Sequence, residues 1–253
     1  MIVYFSATGN CRHVAERVGV ALHEKPRSIL SFPKEGRIRV DLACDEPLVV
    51  VGPTYAWGLA LPMRGFLSRL RVDAPYDQAY LCYIATYGTS SGYSAAQASA
   101  ILARSCRRGF DVLFDIKMPD TWTPTYDLSD VEKVAAINEQ AEVEIAAVAG
   151  AISARRKGDH RKSPLPFAAA LFGESFYRHM RQTKYLHAEK TCISCGLCAR
   201  NCPVGAIEMR EGRPVWKKKR CAMCLACLHR CPRFAIQYGS RTKNHGQYVH
   251  PRV

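Results

Sequence analysis

The sequence predicts an α/β fold: a doubly wound, parallel, five-stranded sheet followed by a second, smaller α+β module. Three observations carry this. Over the first 157 residues apolar runs alternate with amphipathic stretches, as strands joined by crossover helices do. Between Arg155 and Pro166 the chain turns basic and polar, and Pro164 and Pro166 punctuate it. Beyond this break, eight of the 12 cysteines crowd between Cys192 and Cys231.

Strands are expected at Ile2 to Ser6, Arg27 to Leu30, Leu48 to Pro53, Ala79 to Thr86 and Phe110 to Met118. Helical patterns fall between them, at Asn10 to Leu22, Pro62 to Leu70 and Ser94 to Arg107, and a long helix runs from Ser129 to Arg155. Pro62 suits a first helical turn, where its missing N–H is not needed. The segment Phe167 to His187 carries Phe167, Leu171, Phe172, Phe176, Tyr177 and Met180 at helical spacing. It is expected to connect two units through an apolar face, with a membrane-surface helix as the competing reading. The divisions expected are 1–157 for the sheet unit, 158–185 for the linker and connecting helix, 186–240 for the cysteine module and 241–253 for a basic tail.

Composition narrows the functional classes. A chain of 253 residues with 48% hydrophobic and 23% charged residues has enough apolar surface to fold. No apolar stretch reaches the roughly 18 to 20 residues of a bilayer span, so no integral membrane segment is expected. Met1 to Phe5 runs straight into a glycine turn with no export signal, which points to a cytoplasmic protein whose cysteines bind metal instead of forming disulfides. Residues 1–157 hold 18 Lys+Arg against 17 Asp+Glu, and residues 158–253 hold 18 against 5. Two clusters and a phosphate would bring the net +14 down to about +8. The remainder suits an acidic redox protein as partner. Nucleic acid is not expected, because no recognition module accompanies the basic residues.

The cysteines form an internal repeat. Cys192 to Met209 and Cys221 to Tyr238 align without a gap, each reading C-x-x-C-x-x-C-x-x-x-C-P with Ala-Ile two residues on. Three cysteines at this spacing can wrap one face of a cubane of iron and sulfide, and soft thiolates are the ligands such iron requires. The fourth cysteine of each run belongs to the other cluster. Cys192, Cys195, Cys198 and Cys231 are therefore expected to hold one 4Fe-4S cluster, and Cys221, Cys224, Cys227 and Cys202 the second. A structural zinc site is the alternative, but zinc usually takes paired C-x-x-C ligands without trailing prolines such as Pro203 and Pro232. Residues Leu186 to Tyr238 resemble the bacterial two-cluster ferredoxins. Lys217 to Arg220 directly precede the second run and read either as a solvated loop or as a docking patch.

In the first half, three loops stand at the carboxyl ends of predicted strands, where an open α/β sheet places its ligand. Ser6-Ala7-Thr8-Gly9-Asn10-Cys11 opens a helix with hydroxyls and a glycine, which suits a phosphate. Tyr55-Ala56-Trp57-Gly58 and Thr86-Tyr87-Gly88 offer aromatics and bare backbone to a flat ring. With these loops residues 1–157 resemble a flavodoxin, and the whole chain resembles the fused flavodoxin–ferredoxin proteins. The resemblance implies FMN, with phosphate contacts from Ser6, Thr8, Gly9 and Asn10 and ring contacts from Tyr55, Ala56, Trp57, Gly58, Thr86, Tyr87 and Gly88. Cys11 departs from the usual hydroxyl residue, which weakens one phosphate bond. Met118-Pro119-Asp120-Thr121 is also similar to the fused family, without an assigned role. Cys44, Cys82 and Cys106 read as small apolar side chains, and His13, His23 and His187 as structural.

The leading expectation is an electron conduit in which FMN exchanges two electrons, one at a time, with two clusters that each carry one. An FMN-dependent reductase of a small substrate, fed by the clusters, is the alternative; an open flavin face would favour it. A regulatory module without flavin is the third reading, and Ser6 and Thr8 argue against it. No separate catalytic residues are expected.

Overall fold

The structure is a computed structural model; it describes every residue except 44, 74–78 and 166, and only the backbone of 167–171. Cys44 and the side chains of Phe167 and Leu171 therefore lie outside the described residues. The first part of the chain runs through β1 (Ile2–Tyr4), α1 (Asn10–Leu22), β2 (Arg27–Ser28), β3 (Ile38–Asp41), β4 (Pro47–Tyr55), β5 (Gly58–Leu59) and α2 (Leu61–Arg69). It continues through β6 (Leu70–Asp73), β7 (Tyr80–Tyr87), α3 (Ser94–Cys106), β8 (Val112–Lys117), α4 (Val131–Ser153) and β9 (Gly158–Asp159). The main sheet is ordered β2-β1-β4-β7-β8-β9, all parallel, with β5 folded back antiparallel on β4. The five principal strands have the 2-1-3-4-5 winding of a flavodoxin-like doubly wound sheet, whose order reverses between β1 and β4.

The central strands are apolar on both faces because helices cover both. Along β4, Leu48 and Val50 face α2 and α3, where Met63, Phe66, Leu67, Ala98 and Leu102 meet them. Val49 and Val51 point the opposite way, into a layer with Val14, Val18, Ile145 and Ile152 of α1 and α4. The period of two along the strand thus sorts one apolar run into two cores. Cys82 is buried in the second core and Cys106 packs partly buried against the first. Asp130 caps α4, its side chain accepting from the N–H of Lys133 at 3.0 Å.

Three details differ from expectation. The strand expected at Arg27 to Leu30 ends at Ser28, whose side chain accepts from the N–H of Leu30 and turns the chain into a 3-10 segment at Ile29–Ser31. Short β9 extends the five-stranded sheet at the β8 edge. Strands β3 and β6 form a separate parallel pair in which Ile38 and Val40 point inward and Arg39 and Asp41 outward. Four residues are too few for periodicity to single out such a strand.

The second part comprises α5 (Phe167–Met180), a 3-10 segment at Thr183–Tyr185, β10 (Leu186–Ala188), α6 (Leu197–Arg200), β11 (Ile207–Arg210), β12 (Arg213–Trp216), α7 (Ala226–His229) and β13 (Ile236–Tyr238). β10 pairs antiparallel with β13, and β11 with β12. The sequence repeat is also a backbone repeat. Ser194 and Met223, Gly196 and Leu225, and Gly205 and Phe234 stand at matching places in the two runs, and all have positive φ of 46° to 71°. Helix α5 joins the two parts through Tyr177, whose hydroxyl donates to the carbonyl of Ala222 at 2.8 Å and accepts from the N–H of Leu61. Phe172, on the same helix, stays largely exposed. Among the described residues no helix is long and apolar enough to cross a membrane.

Residues 241–253 do not trail away. The N–H of Leu128 donates to the carbonyl of His245, and the N–H of His250 to the carbonyl of Thr8 at 2.8 Å. The Tyr248 hydroxyl bonds to Asn10 Oδ1 at 2.8 Å and to Asn138 Oδ1 at 3.1 Å. His250 stacks on His13, and Arg252 pairs with Glu142, which also bonds His13.

Candidate cofactor sites

Each cysteine run folds as a tight loop followed by one turn of helix, and the two runs face each other. One cavity between them is lined by Cys192, Cys195, Cys198 and Cys231, and a second by Cys202, Cys221, Cys224 and Cys227. Each cavity therefore takes three thiols from one run and the last thiol from the other. The backbone N–H groups of Ala206 and Ala235, again at matching places in the two runs, donate to Cys202 Sγ at 3.2 Å and Cys231 Sγ at 3.3 Å. The N–H of Met223 donates to Cys221 Sγ at 3.2 Å. Such bonds favour thiolate.

Burial acts against the thiolate form. It pushes the Cys221 thiol up to about 11 and the Cys224 thiol up to about 12, and it raises Cys227 and Cys198 as well. Three desolvated thiols around one space, Cys221, Cys224 and Cys227, are stable as thiolates only with positive charge between them, which iron would supply. Among the described residues no three His, Cys, Asp or Glu side chains converge on a point that would hold a single metal ion. The donor set fits a cluster that spreads its ligands around a volume.

A third cavity, of about 250 Å³, opens at the carboxyl edge of the sheet where the strand order reverses. Ser6, Thr8, Asn10, Cys11, Tyr55, Ala56, Trp57, Thr86, Tyr87 and Gly88 line it. Ten of the twelve residues expected there are thus on one wall. Gly9 and Gly58 are not, and each serves packing. Gly9 has φ 104°, and a Cβ on it would meet the Cβ of His250 at 2.7 Å. A Cβ on Gly58 would come within 3.1 Å of the Tyr93 ring. The Asn10 side chain is already occupied, donating to the carbonyl of Pro119 and accepting from Tyr248. Cys11 is buried with Sγ 3.0 Å from Thr86 Oγ1, so it ties the first loop to the third.

Sequence reasoning did not anticipate the rest of the wall. Met118, Asp120, Trp122 and Tyr126 come from the loop after β8, and Phe176, Tyr177 and Met180 from α5. Trp57 stacks on Phe176 with ring centres 5.6 Å apart, so α5 covers the second loop. Asp120 is pushed above the usual carboxylate range by burial, although its Oδ1 accepts from the N–H of Trp122. It sits so close to Gly88 that a Cβ there would lie 2.3 Å from it. The unassigned run Met118 to Thr121 is the one signal of this wall in the sequence. The last part of the wall is Met223, Cys224 and Leu225.

Comparison with known proteins bears on the cysteine module first. Residues 191–247 match the family model of the 4Fe-4S dicluster domain. These residues form an iron–sulfur module. No curated protein matches the chain. Among solved structures, a flavone reductase is similar at 12% identity and a TM-score of 0.36, over 62% of this chain and 66% of that one. The chain thus spans just under two thirds of that protein's length.

Proposed function

We propose that the protein is an electron conduit in which one FMN, held by residues 1–157, exchanges electrons with two 4Fe-4S clusters held by residues 186–240. One observation carries the proposal. Cys224 lines both the cavity at the sheet edge and the cavity of Cys202, Cys221 and Cys227. Met223 and Leu225 line both as well, so a ring in the first and a cluster in the second would share this one loop as their common wall. The cofactors supply the redox chemistry, and the chain supplies distance, orientation and exclusion of water.

The hydroxyls of Ser6 and Thr8 and the free amides at the start of α1 hold the phosphate, and Asn10 contributes through its backbone alone. Tyr55, Ala56, Trp57, Thr86, Tyr87 and Gly88 border the ring. Because Phe176 of α5 stacks on Trp57 of the Tyr55 to Gly58 loop, less of the ring face on that side would be open to a substrate. This favours a conduit over a reductase. Buried Asp120 is the feature that favours the reductase, since a carboxyl beside the cavity whose pKa is raised by burial is better suited to exchange a proton with a substrate.

The backbone repeat supports a direction for the route. In the second run Met223 and Leu225 are buried and line the sheet-edge cavity, whereas in the first run Ile193 and Cys195 are exposed. The first run thus offers to a partner the loop that the second run offers to the flavin. Exposed Lys190 and Arg233 flank it, which suits an acidic redox protein.

Anaerobic reconstitution tests the proposal. The expected result is about eight irons and about eight acid-labile sulfides per chain, with one FMN released by mild acid. Zinc, a repeated yield of half the iron, FAD or no flavin refutes it.

A further inference from the structure

A fourth cavity of about 660 Å³ lies between the two parts, on the β2 side of the sheet. Five of its lining side chains are cations, Arg12, Lys34, Arg69, Arg200 and Arg230, and none is a carboxylate. Arg12 pairs with Glu16, which is not in the lining, and the other four have no carboxylate partner among the described residues. Like charges gathered in this way cost stability unless an anion joins them. Three of the arginines are held in place: Arg12 Nε by Glu16 at 2.8 Å, Arg69 Nη1 by the carbonyl of Pro33 at 2.7 Å, and Arg230 Nε by the carbonyl of Ala7 at 2.6 Å. Nη2 of Arg69 and both Nη atoms of Arg12 and Arg230 take no part in these bonds. Arg200 and Lys34 have no partner among the described residues. Tyr4, Phe32 and Phe66 add a ring-bearing wall.

We infer that this groove is a binding site for a small phosphorylated molecule with a flat ring, of the nucleoside diphosphate class. The volume is that of a small-molecule pocket, about 300 to 1,000 Å³. To balance the four cations without a carboxylate partner, an acidic peptide would have to crowd several carboxylates together, whereas two adjacent phosphates bring about three charges on their own. Four of the five cations are arginine, whose planar fork matches phosphate oxygens in pairs. The groove also has a place in the electron path. Cys202, one of the four thiols of the buried cavity, is in one wall, and Ser6 and Ala7 of the first loop are in the other. A bound anion would sit between the two.

The site does not depend on the flavin reading, and the experiment separates them. Iron-loaded protein is titrated calorimetrically with ADP, and with inorganic pyrophosphate for comparison, beside the variant carrying Arg200→Glu and Lys34→Glu. Neither side chain is part of either proposed cofactor site, so iron and flavin content should stay as in the parent. The expected result is one saturable ADP site, pyrophosphate binding more weakly, and affinity in the variant lower by at least about tenfold. Absence of saturable ADP binding overturns the inference. Equal ADP affinity in parent and variant also overturns it, because the nucleotide would then be at the Ser6 to Asn10 loop. Binding of a short polyglutamate peptide in place of ADP overturns it in favour of a protein partner.

Discussion

At the scale of single residues, Cys202 and Asp120 give the sharpest expectations. Cys202 follows the first run in sequence but lines the cavity of the second. Cys202→Ala should therefore disturb the cluster of Cys221, Cys224 and Cys227, read by electron paramagnetic resonance, and leave the other with a native signal. Loss confined to the cluster of Cys192, Cys195 and Cys198 would show that ligation is not crossed. Asp120 binds its proton more tightly folded than unfolded, because burial raises its pKa. Its contribution to stability is full below the unfolded carboxylate range, about 4, and is lost as pH rises through the folded value. Asp120→Asn keeps an oxygen for the N–H of Trp122 and removes the charge. At pH 7 it should stabilise by about 1 kcal/mol, and at pH 4 by much less, measured from urea midpoints. A gain independent of pH would point to packing instead of charge.

At the scale of elements, the returning segment Thr242 to Arg252 carries the next expectation. His250 is held down at about 4 by burial first and by neighbouring His13 second, with Glu142 opposing and Arg252 assisting. A depressed histidine contributes stability that is full above its unfolded pKa of about 6.5 and lost as pH falls toward about 4. The segment should therefore loosen from the Ser6 to Asn10 loop between these values, seen as faster amide exchange at His250, whose N–H donates to Thr8. In His250→Phe, which keeps a flat ring beside His13, the loosening should shrink. What the sequence made legible and what it hid divide along the same line. Strands, helices and cysteine sets could be read because each recurs at a fixed interval: the alternation of a strand, the turn of a helix, the return of a whole cysteine run. The contacts of Tyr248 with Asn10, of Tyr177 with Ala222 and of Asp120 with Gly88 have no such interval, since each is made by chain brought together from afar. The cavity wall from α5 and from Met223 to Leu225 was hidden for that reason, as was the groove of five cations.

At the scale of the whole molecule, the two cysteine loops have opposite surroundings despite equal backbones, and on the proposed reading the exposed one is where a redox partner would dock. Lys217, Lys218 and Lys219 are exposed, but the backbone of the turn that carries them fastens the connecting segment through Thr183, which bonds the carbonyls of Lys218 and Lys219. They also adjoin the buried cluster, not the exposed one. Ile193→Glu with Arg233→Glu should slow electron transfer to an acidic partner at low salt, by about tenfold or more, and by less as salt screens charge beyond about 8 Å. Reversal of Lys217 to Lys219 should have a smaller effect, followed by stopped-flow absorbance. The opposite ranking would place the electron exit at the buried cluster.

Tyr248 reaches back across 238 positions to Asn10. On a ribosome adding about 5 to 20 residues per second, the loop made first waits roughly 12 to 50 seconds for the segment that covers it. During that interval the nascent sheet can form with the Ser6 to Asn10 loop uncovered, so the order of synthesis itself leaves a time for a ligand such as the proposed FMN to enter before the rim is closed.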